Sequence, residues 1–193
     1  MTKKAPKRNE IIKKLKKSLD PERFEHSLRV EKVALALGKK YHVDLNSISL
    51  AAILHDCARR YDRKELLKMA KKMKLKTDPV KKLEPKLFHG EIGARLARDE
   101  FNVKSKDVLR AIRNHTTGAP GMSKLEKIIY LSDHIEDKRA FPGVKKLRNL
   151  AFNDLDRAIF ESASSMLRFL LQKKMPIHPE TVRTRNNYIM VKA

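Results

Sequence analysis

The sequence predicts an all-α fold, a helical bundle in one compact domain of about eight to nine helices. Three observations carry that prediction. Glycine is scarce, at 6 of 193 residues. The apolar/polar alternation of a half-buried strand is rare. Helix start signals recur along the chain, and apolar residues follow them at intervals of three and four. A length of 193 residues suits one domain and is enough to bury a core without disulfides or a structural metal.

A first helix after Asn9 places Ile11, Ile12, Leu15 and Leu19 on one face. Asp20 then caps a second helix, with Pro21 at its first position and Glu22 in its first turn. Phe24, Leu28, Val33, Leu37 and Tyr41 are its inward residues. Asp44 to Ser47 caps a third helix whose run Ile48 to Leu54 is almost wholly apolar, so it is central and buried, and it ends in His55-Asp56. Asp62 opens a lysine-rich helix to about Met73, and Thr77-Asp78-Pro79 marks a turn. A helix covers roughly Pro85 to Glu100, with Leu87, Ile92 and Leu96 apolar. Ser105 caps the next, which ends near His115. Thr116 to Gly121 is a loop. Ser123 and Glu126 form a capping box for a helix to about Glu136 that carries Asp133. Phe141-Pro142-Gly143 is a break. A long amphipathic helix runs from about Asp154 to Lys174, the segment 175–180 is irregular, and a short terminal helix follows Thr181. The chain divides into a basic segment 1–19, a domain 20–186 and a tail 187–193.

The formal net charge is +22, from 45 Lys and Arg against 23 Asp and Glu. Such a charge concentrates polyanions and speeds their capture without saying which polyanion is taken. Cys57 is the one cysteine, which excludes an intrachain disulfide and fits a reducing compartment. The N-terminus interleaves its apolar residues with lysines, so it is neither a signal peptide nor a membrane span, and a cytoplasmic location is expected.

Six side chains carry the chemistry: His26, the pair His55-Asp56, His89, His115 and Asp133. They are separated by 29, 33, 26 and 18 residues, each about one helical hairpin. Adjacent helices of a bundle can therefore bring all six to one point. Imidazole and carboxylate bind divalent metals such as Fe, Mn, Zn or Ni. A cation held this way acidifies a water and neutralises phosphate oxygens. Taken singly, each histidine reads as readily as an ordinary hydrogen-bonded residue. The weight comes from their order, and from a buried apolar helix that ends in two ionisable groups needing partners. His42 and His134 read as a solvated cap and a wall or surface residue, Cys57 as packing, and Glu136 as either a second layer behind Asp133 or a solvated helix end.

Arg23-Phe-Glu-His26, Leu54-His-Asp56, His89-Gly-Glu-Ile-Gly-Ala94, Asn114-His-Thr-Thr-Gly118, Met122-Ser123 and Asp133-His-Ile-Glu136 together resemble the YqeK family. Arg139-Ala-Phe-Pro-Gly143 and Pro176-Ile-His-Pro-Glu-Thr181 extend the likeness, which spans about Asp20 to Asn186. These are HD-domain symmetrical bis(5′-nucleosyl)-tetraphosphatases of bacteria. The resemblance implies an HD-domain bundle that cleaves diadenosine tetraphosphate, or a related dinucleoside polyphosphate, to two ADP. It implies iron, one or two ions per site, held by His26, His55, Asp56 and Asp133, with Mn, Zn, Ni or Mg as surrogates. His89 and His115 hold a second metal or grip phosphate, and with Asp56 form the catalytic group. Thr116, Thr117 and Gly118 lie along the phosphate chain. Arg139 and the loop Pro176, Ile177, His178, Pro179, Glu180 and Thr181 contact the nucleotide. Arg59 stands where the family commonly has lysine, keeping the charge but presenting a planar fork to phosphate. Asp56 is expected to orient the attacking water, with Arg59, His89, His115 and Arg139 stabilising charge on the phosphate oxygens.

Two other readings compete. One is an HD nucleotidase or guanosine-polyphosphate hydrolase, against which the His115-Thr-Thr-Gly and Arg139-Ala-Phe-Pro-Gly signatures argue. The other is a basic RNA- or ribosome-binding module, motivated by Lys3, Lys4, Lys7, Arg8, Lys13, Lys14, Lys16 and Lys17 against Glu10. No tryptophan and no interleaved aromatic platform supports it. The long helix from Asp154 offers a face for a homodimer.

Overall fold

The computed structural model describes residues 8–189; Lys3, Lys4 and Lys7 of the basic segment lie outside them. Eleven α-helices and two 3-10 turns, with no strand, make up the described residues. They are α1 (Arg8–Ser18), α2 (Pro21–Tyr41), α3 (Leu45–Leu54), α4 (Arg63–Lys72), α5 (Pro79–Leu83), α6 (His89–Asp99), α7 (Lys106–Asn114), α8 (Lys124–Ile135), α9 (Val144–Ala151), α10 (Leu155–Gln172) and α11 (Pro179–Ile189). Among these residues no helix is long and apolar enough to cross a membrane.

Start signals became starts. Asp20, Asp44, Asp62, Asp78, Ser105, Ser123 and Asp154 each accept a backbone N–H two or three residues into their helices. Two helices exceed the expected number. Asp78-Pro79, read as a turn, caps and begins α5. The break at Phe141-Pro142-Gly143 is also a beginning, because Gly143 at φ 88° turns the chain directly into α9. α11 starts at Pro179, ahead of the expected start after Thr181, since a proline at the first helical position lacks no needed donor.

α2 packs along both α3 and α8, α6 lies on α7, and α7 on α8, while α10 joins α8, α9 and α11. The buried stripe of α2 is Val30, Ala34 and Leu37 at helical spacing, with His26 one turn before Val30 on the same side. Leu28, Val33 and Tyr41, expected inward, are partly buried on its flank. The long axis of apolar residues thus aims His26 into the protein. α3 is buried from Ile48 through Leu54 apart from partly covered Ser49 and Leu50, as its run predicted. α1 contributes Ile11 and Leu15, 2% and 0% exposed, to the same core. Its Arg8 grips the buried carboxylate of Glu31 on α2 through two bonds of 2.8 and 2.6 Å.

Candidate metal centre

Each histidine of the six is placed by a helix terminus or a buried helix face. His26 comes from the inner stripe of α2, and His55 and Asp56 follow the last turn of α3. His89 opens α6, His115 follows α7, and Asp133 sits in the last turn of α8. The four rings are nearly sealed from solvent. All six polar tips converge. His26 Nε2 is 3.0 Å from Asp133 Oδ1 and 4.0 Å from Asp56 Oδ2. His55 Nε2 is 3.8 Å from Asp56 Oδ2. On the other side of Asp56, Oδ1 lies 3.3 Å from His89 Nε2 and 3.6 Å from His115 Nε2. Asp56 therefore faces two neighbouring sets of donors with its two oxygens.

The orientation of the rings is fixed from behind. His55 Nδ1 donates to the Ala52 carbonyl at 2.6 Å, His115 Nδ1 to Ile112 at 2.7 Å, and His89 Nδ1 to Lys86. His26 Nδ1 donates to Glu136 Oε1 at 3.4 Å. A carbonyl or carboxylate oxygen only accepts, so Nδ1 carries the proton and each neutral ring turns its Nε2 lone pair inward. Three of the four carbonyls and carboxylates sit three residues back in the same turn, which makes the device local. Behind His26, Glu136 is itself held by the Arg29 guanidinium at 2.8 Å. This is the supporting layer that ligating histidines require.

Electrostatics suit a cation. Burial alone raises a carboxyl, yet the histidines around Asp56 outweigh it and hold that group well below the usual carboxylate range. Asp133 behaves likewise through His26 and His55. Burial drives His55 down to about 4, so its lone pair is free at neutral pH. His55 Nε2 and His26 Nε2 are buried without an aligned hydrogen-bond partner. His89 and His115 bring their Nε2 atoms to 2.9 Å, with Thr116 Oγ1 at 3.0 and 3.2 Å from them. Two lone pairs at that distance need a proton or a cation between them. For His115 burial is outweighed by Asp56 and the ring is pushed up, whereas burial prevails on His89 and pushes it down. Inward lone pairs, ionised carboxylates and unpartnered nitrogen atoms make a donor set that fits one or two divalent cations. Three overlapping trios, His26/His55/Asp56, His55/His115/Asp133 and Asp56/His89/His115, each have ligand atoms within 4.8 Å of one another.

The matching stretch of this chain, residues 23–183, fits the family model described as the HD domain. The chain belongs to the HD domain family. The HD domain here is 40% identical to a "Bis(5'-nucleosyl)-tetraphosphatase, symmetrical" of Halalkalibacterium halodurans over 183 residues, covering 95% of this chain and 97% of that one. It is 38% identical to the protein of the same name from Bacillus subtilis, covering 93% and 96%. A crystal structure of a predicted HD superfamily hydrolase involved in NAD metabolism, from Clostridium acetobutylicum, superposes with a TM-score of 0.94. It is 33% identical, over 98% of this chain and all of that one.

Around the HD domain's six residues the other expected residues are sorted. Arg139 donates to Asp133 Oδ1 at 2.8 Å and so touches the cluster. Arg59 lies in the 3-10 turn after Asp56, where burial lowers its pKa despite the pull of Asp56. Thr117 and Gly118 form the loop beyond Thr116; the Thr117 carbonyl accepts from Thr184 of α11 at 3.0 Å. Gly118 has φ 68°, and a Cβ there would come within 2.5 Å of Thr184. Pro176, Ile177, His178, Pro179, Glu180 and Thr181 lead into and open α11. His178 pairs with Asp78 at 3.2 Å, Glu180 with Arg183 at 2.6 Å, and Thr181 is buried in the first turn of α11. Arg23 was missed. Its guanidinium meets Asp56 Oδ2 at 3.1 Å, and its position three residues before His26 on α2 was the available signal. Glu136 proves to be the buried second layer, not a solvated end. Cys57 packs as expected, its thiol pushed up to about 12 by burial. His42 is the exposed end cap of α2, with φ 54°.

Proposed function

We propose that the chain hydrolyses diadenosine tetraphosphate, or a related dinucleoside polyphosphate, symmetrically to two ADP. The observation that carries this reading is the inward convergence of four Nε2 lone pairs on two ionised carboxylates. The relatives named for that reaction, 34–40% identical over nearly the whole chain, supply the substrate class. His26, His55, Asp56 and Asp133 hold the first metal, and Asp56, His89 and His115 supply a second position. Iron is our assignment, since imidazole and carboxylate without thiolate suit it, with Mn, Zn or Ni as surrogates; four imidazoles make Mg a poor match. The metal, when bound, acidifies a water and draws charge from the phosphate under attack.

Symmetrical cleavage breaks the oxygen bridge between the two inner phosphorus atoms. Water adds to one of them, and the departing oxygen carries the other ADP away. Asp56 keeps its charge in the buried site and orients that water along the line of the breaking bond. Thr116 Oγ1, 3.0 and 3.2 Å from His89 Nε2 and His115 Nε2, is placed to donate to a phosphate oxygen beside that second position. Arg139, Arg59 and Arg23 surround the site with fixed guanidinium charge that meets the negative charge growing on the phosphate oxygens. A cleft of about 370 Å³ opens beside His26, lined by Arg23, Arg29, Lys138 and Arg139 together with Glu22 and Glu136, and its excess of cations gives the polyphosphate its approach. Chromatography of the products from diadenosine tetraphosphate, paired with elemental analysis of freshly purified protein, tests the reading. Two ADP and stoichiometric metal are expected; ATP plus AMP would overturn the symmetrical reading, and turnover of mononucleotides alone would replace it with the nucleotidase alternative.

A further inference from the structure

Charge is spent unevenly over the surface. The 25 residues 62–86 carry ten Lys and Arg against four acids, so they hold +6 of the chain's +22. All four acids are used inside the protein. Asp62 and Glu65 cap α4 reciprocally. Asp78 accepts from the Lys81 N–H at the start of α5 and from the His178 ring. Glu84 accepts from the Lys86 N–H and from Arg63. Two of the bases are also used, Arg63 on Glu84 and Lys81 on Glu91. The other eight are lysines, all exposed, and among the described residues none of them makes an ion pair. The basic stretch before Asp20 differs, because there Arg8 is bound to Glu31 and Lys14 to Glu100. On α4, Lys64, Lys68, Lys71 and Lys72 stand three and four residues apart on the side away from buried Leu66 and Ala70. Neighbours at that spacing are about 5–6 Å apart at Cβ, so the amines form a ridge. α4 packs on the 3-10 turn Pro85–Phe88, which carries Lys86 and leads directly into His89. His89 Nδ1 donates to the Lys86 carbonyl, so the ridge abuts the metal centre.

We propose that the α4–α5 surface binds the phosphodiester backbone of a single-stranded nucleic acid. A row of unpaired amines at near-regular spacing matches a polymer that carries one charge per residue. Binding such a polymer breaks no ion pair, since the acids nearby are already engaged in caps. A bilayer fits less well. An interfacial helix lays an apolar face of its own into the lipid, whereas the apolar stripe of α4 lies in the core and only Leu67 and Leu83 of this stretch stand exposed, at 38% and 65%. A flexible strand can follow the surface from α4 to α5 and rest bases on those two leucines. The stretch has no aromatic residue, so stacking contributes little and the affinity is carried by charge. The proposal needs only this surface and is independent of the hydrolytic reading.

Fluorescence anisotropy of the full chain with a labelled oligouridylate and a labelled oligothymidylate, across a salt series, tests it. The logarithm of the affinity should fall with the logarithm of salt by about 0.7 for each phosphate contacted. K64Q/K68Q/K71Q/K72Q, which keeps good helix formers on α4, should bind more than about tenfold weaker and lose about 2–3 from that slope. K39Q/K40Q/K145Q/K146Q removes the same charge from the end of α2 and from α9, and should weaken binding less than about twofold. Either oligonucleotide held through α4 supports the surface, and the tighter one names its source as RNA or DNA. Equal losses in the two variants would overturn the proposal, because the charge would then act only as a diffuse field. Undiminished binding by the α4 variant would overturn it as well. So would α4-dependent capture by phosphatidylserine vesicles in a chain that holds neither oligonucleotide, since this face would then belong to a membrane.

Discussion

At the scale of single residues, the site is a set of imidazoles turned inward by bonds made behind them. Those bonds make testable statements about groups that never touch substrate. Glu136→Gln keeps the size of the side chain but removes the charge that fixes the His26 tautomer and holds Arg29. Metal affinity should fall about 10- to 100-fold, read by competition with a chelator, with the helical circular dichroism unchanged. Asp56→Ala should lose metal and activity together, because both donor sets share that carboxylate. Protons offer a second test. His55 titrates near 4 in the fold against 6.5 unfolded. Its depressed value means that stability is complete above pH 6.5 and is lost as pH falls toward 4. Asp56 and Asp133, also depressed, act in the same direction at lower pH. His115, raised, opposes the trend in part. The urea midpoint of the metal-free protein should therefore drop between pH 7 and pH 5, and bound metal should suppress the drop. A midpoint flat across that range would contradict the buried neutral His55.

At the scale of elements, helix ends decide where the ligands stand. α6 and α7 approach so closely that a Cβ on Gly90 would lie 2.5 Å from the Arg113 carbonyl. Gly90→Ala must push the two helices apart at the level of His89 and His115. It should weaken the second metal position and lower kcat, while Gly121→Ala, where a Cβ meets nothing but φ is 62°, should cost some stability and spare metal binding. α9 has a different task. Its Arg148 donates to the carbonyls of Ile135, Glu136 and Arg139, closing the end of α8 and fixing the turn that carries Glu136 and Arg139. Arg148→Met leaves those buried or half-buried carbonyls without a charged donor. A loss of about 2 kcal/mol in unfolding free energy is expected, together with a fall in kcat/KM although Arg148 contacts no ligand. The sequence showed the caps of α2, α4 and α8 clearly, because a cap is a contact between residues three apart. It hid α5 and α9, since proline and glycine punctuate the start of a short helix and a loop in the same way. The bond from Arg148 to α8 crosses 13 residues to Ile135 and left no local mark.

At the scale of the molecule, α1 is bound into the core, and charge surrounds the whole. Leu15→Ala removes a fully buried side chain that joins α1 to the rest, and should cost about 2–5 kcal/mol by chemical denaturation. The net charge of +22 favours a substrate with four linked phosphates. KM for diadenosine tetraphosphate should rise several-fold as ionic strength goes from about 0.05 to 0.5 M, while kcat stays nearly constant. A KM independent of salt would assign the charge to some other partner. The sequence by itself determined the helical class, most helix starts and which six side chains would converge. Those features depend on residue type and on spacings within one or two turns. The tertiary structure alone decided that Asp56 faces two donor sets, that Glu136 backs His26, that Arg23 joins the site and that His178 pairs with Asp78. Such facts come from contacts between residues 33 to 110 positions apart, whose partners are chosen by how helices pack and not by their neighbours in the chain.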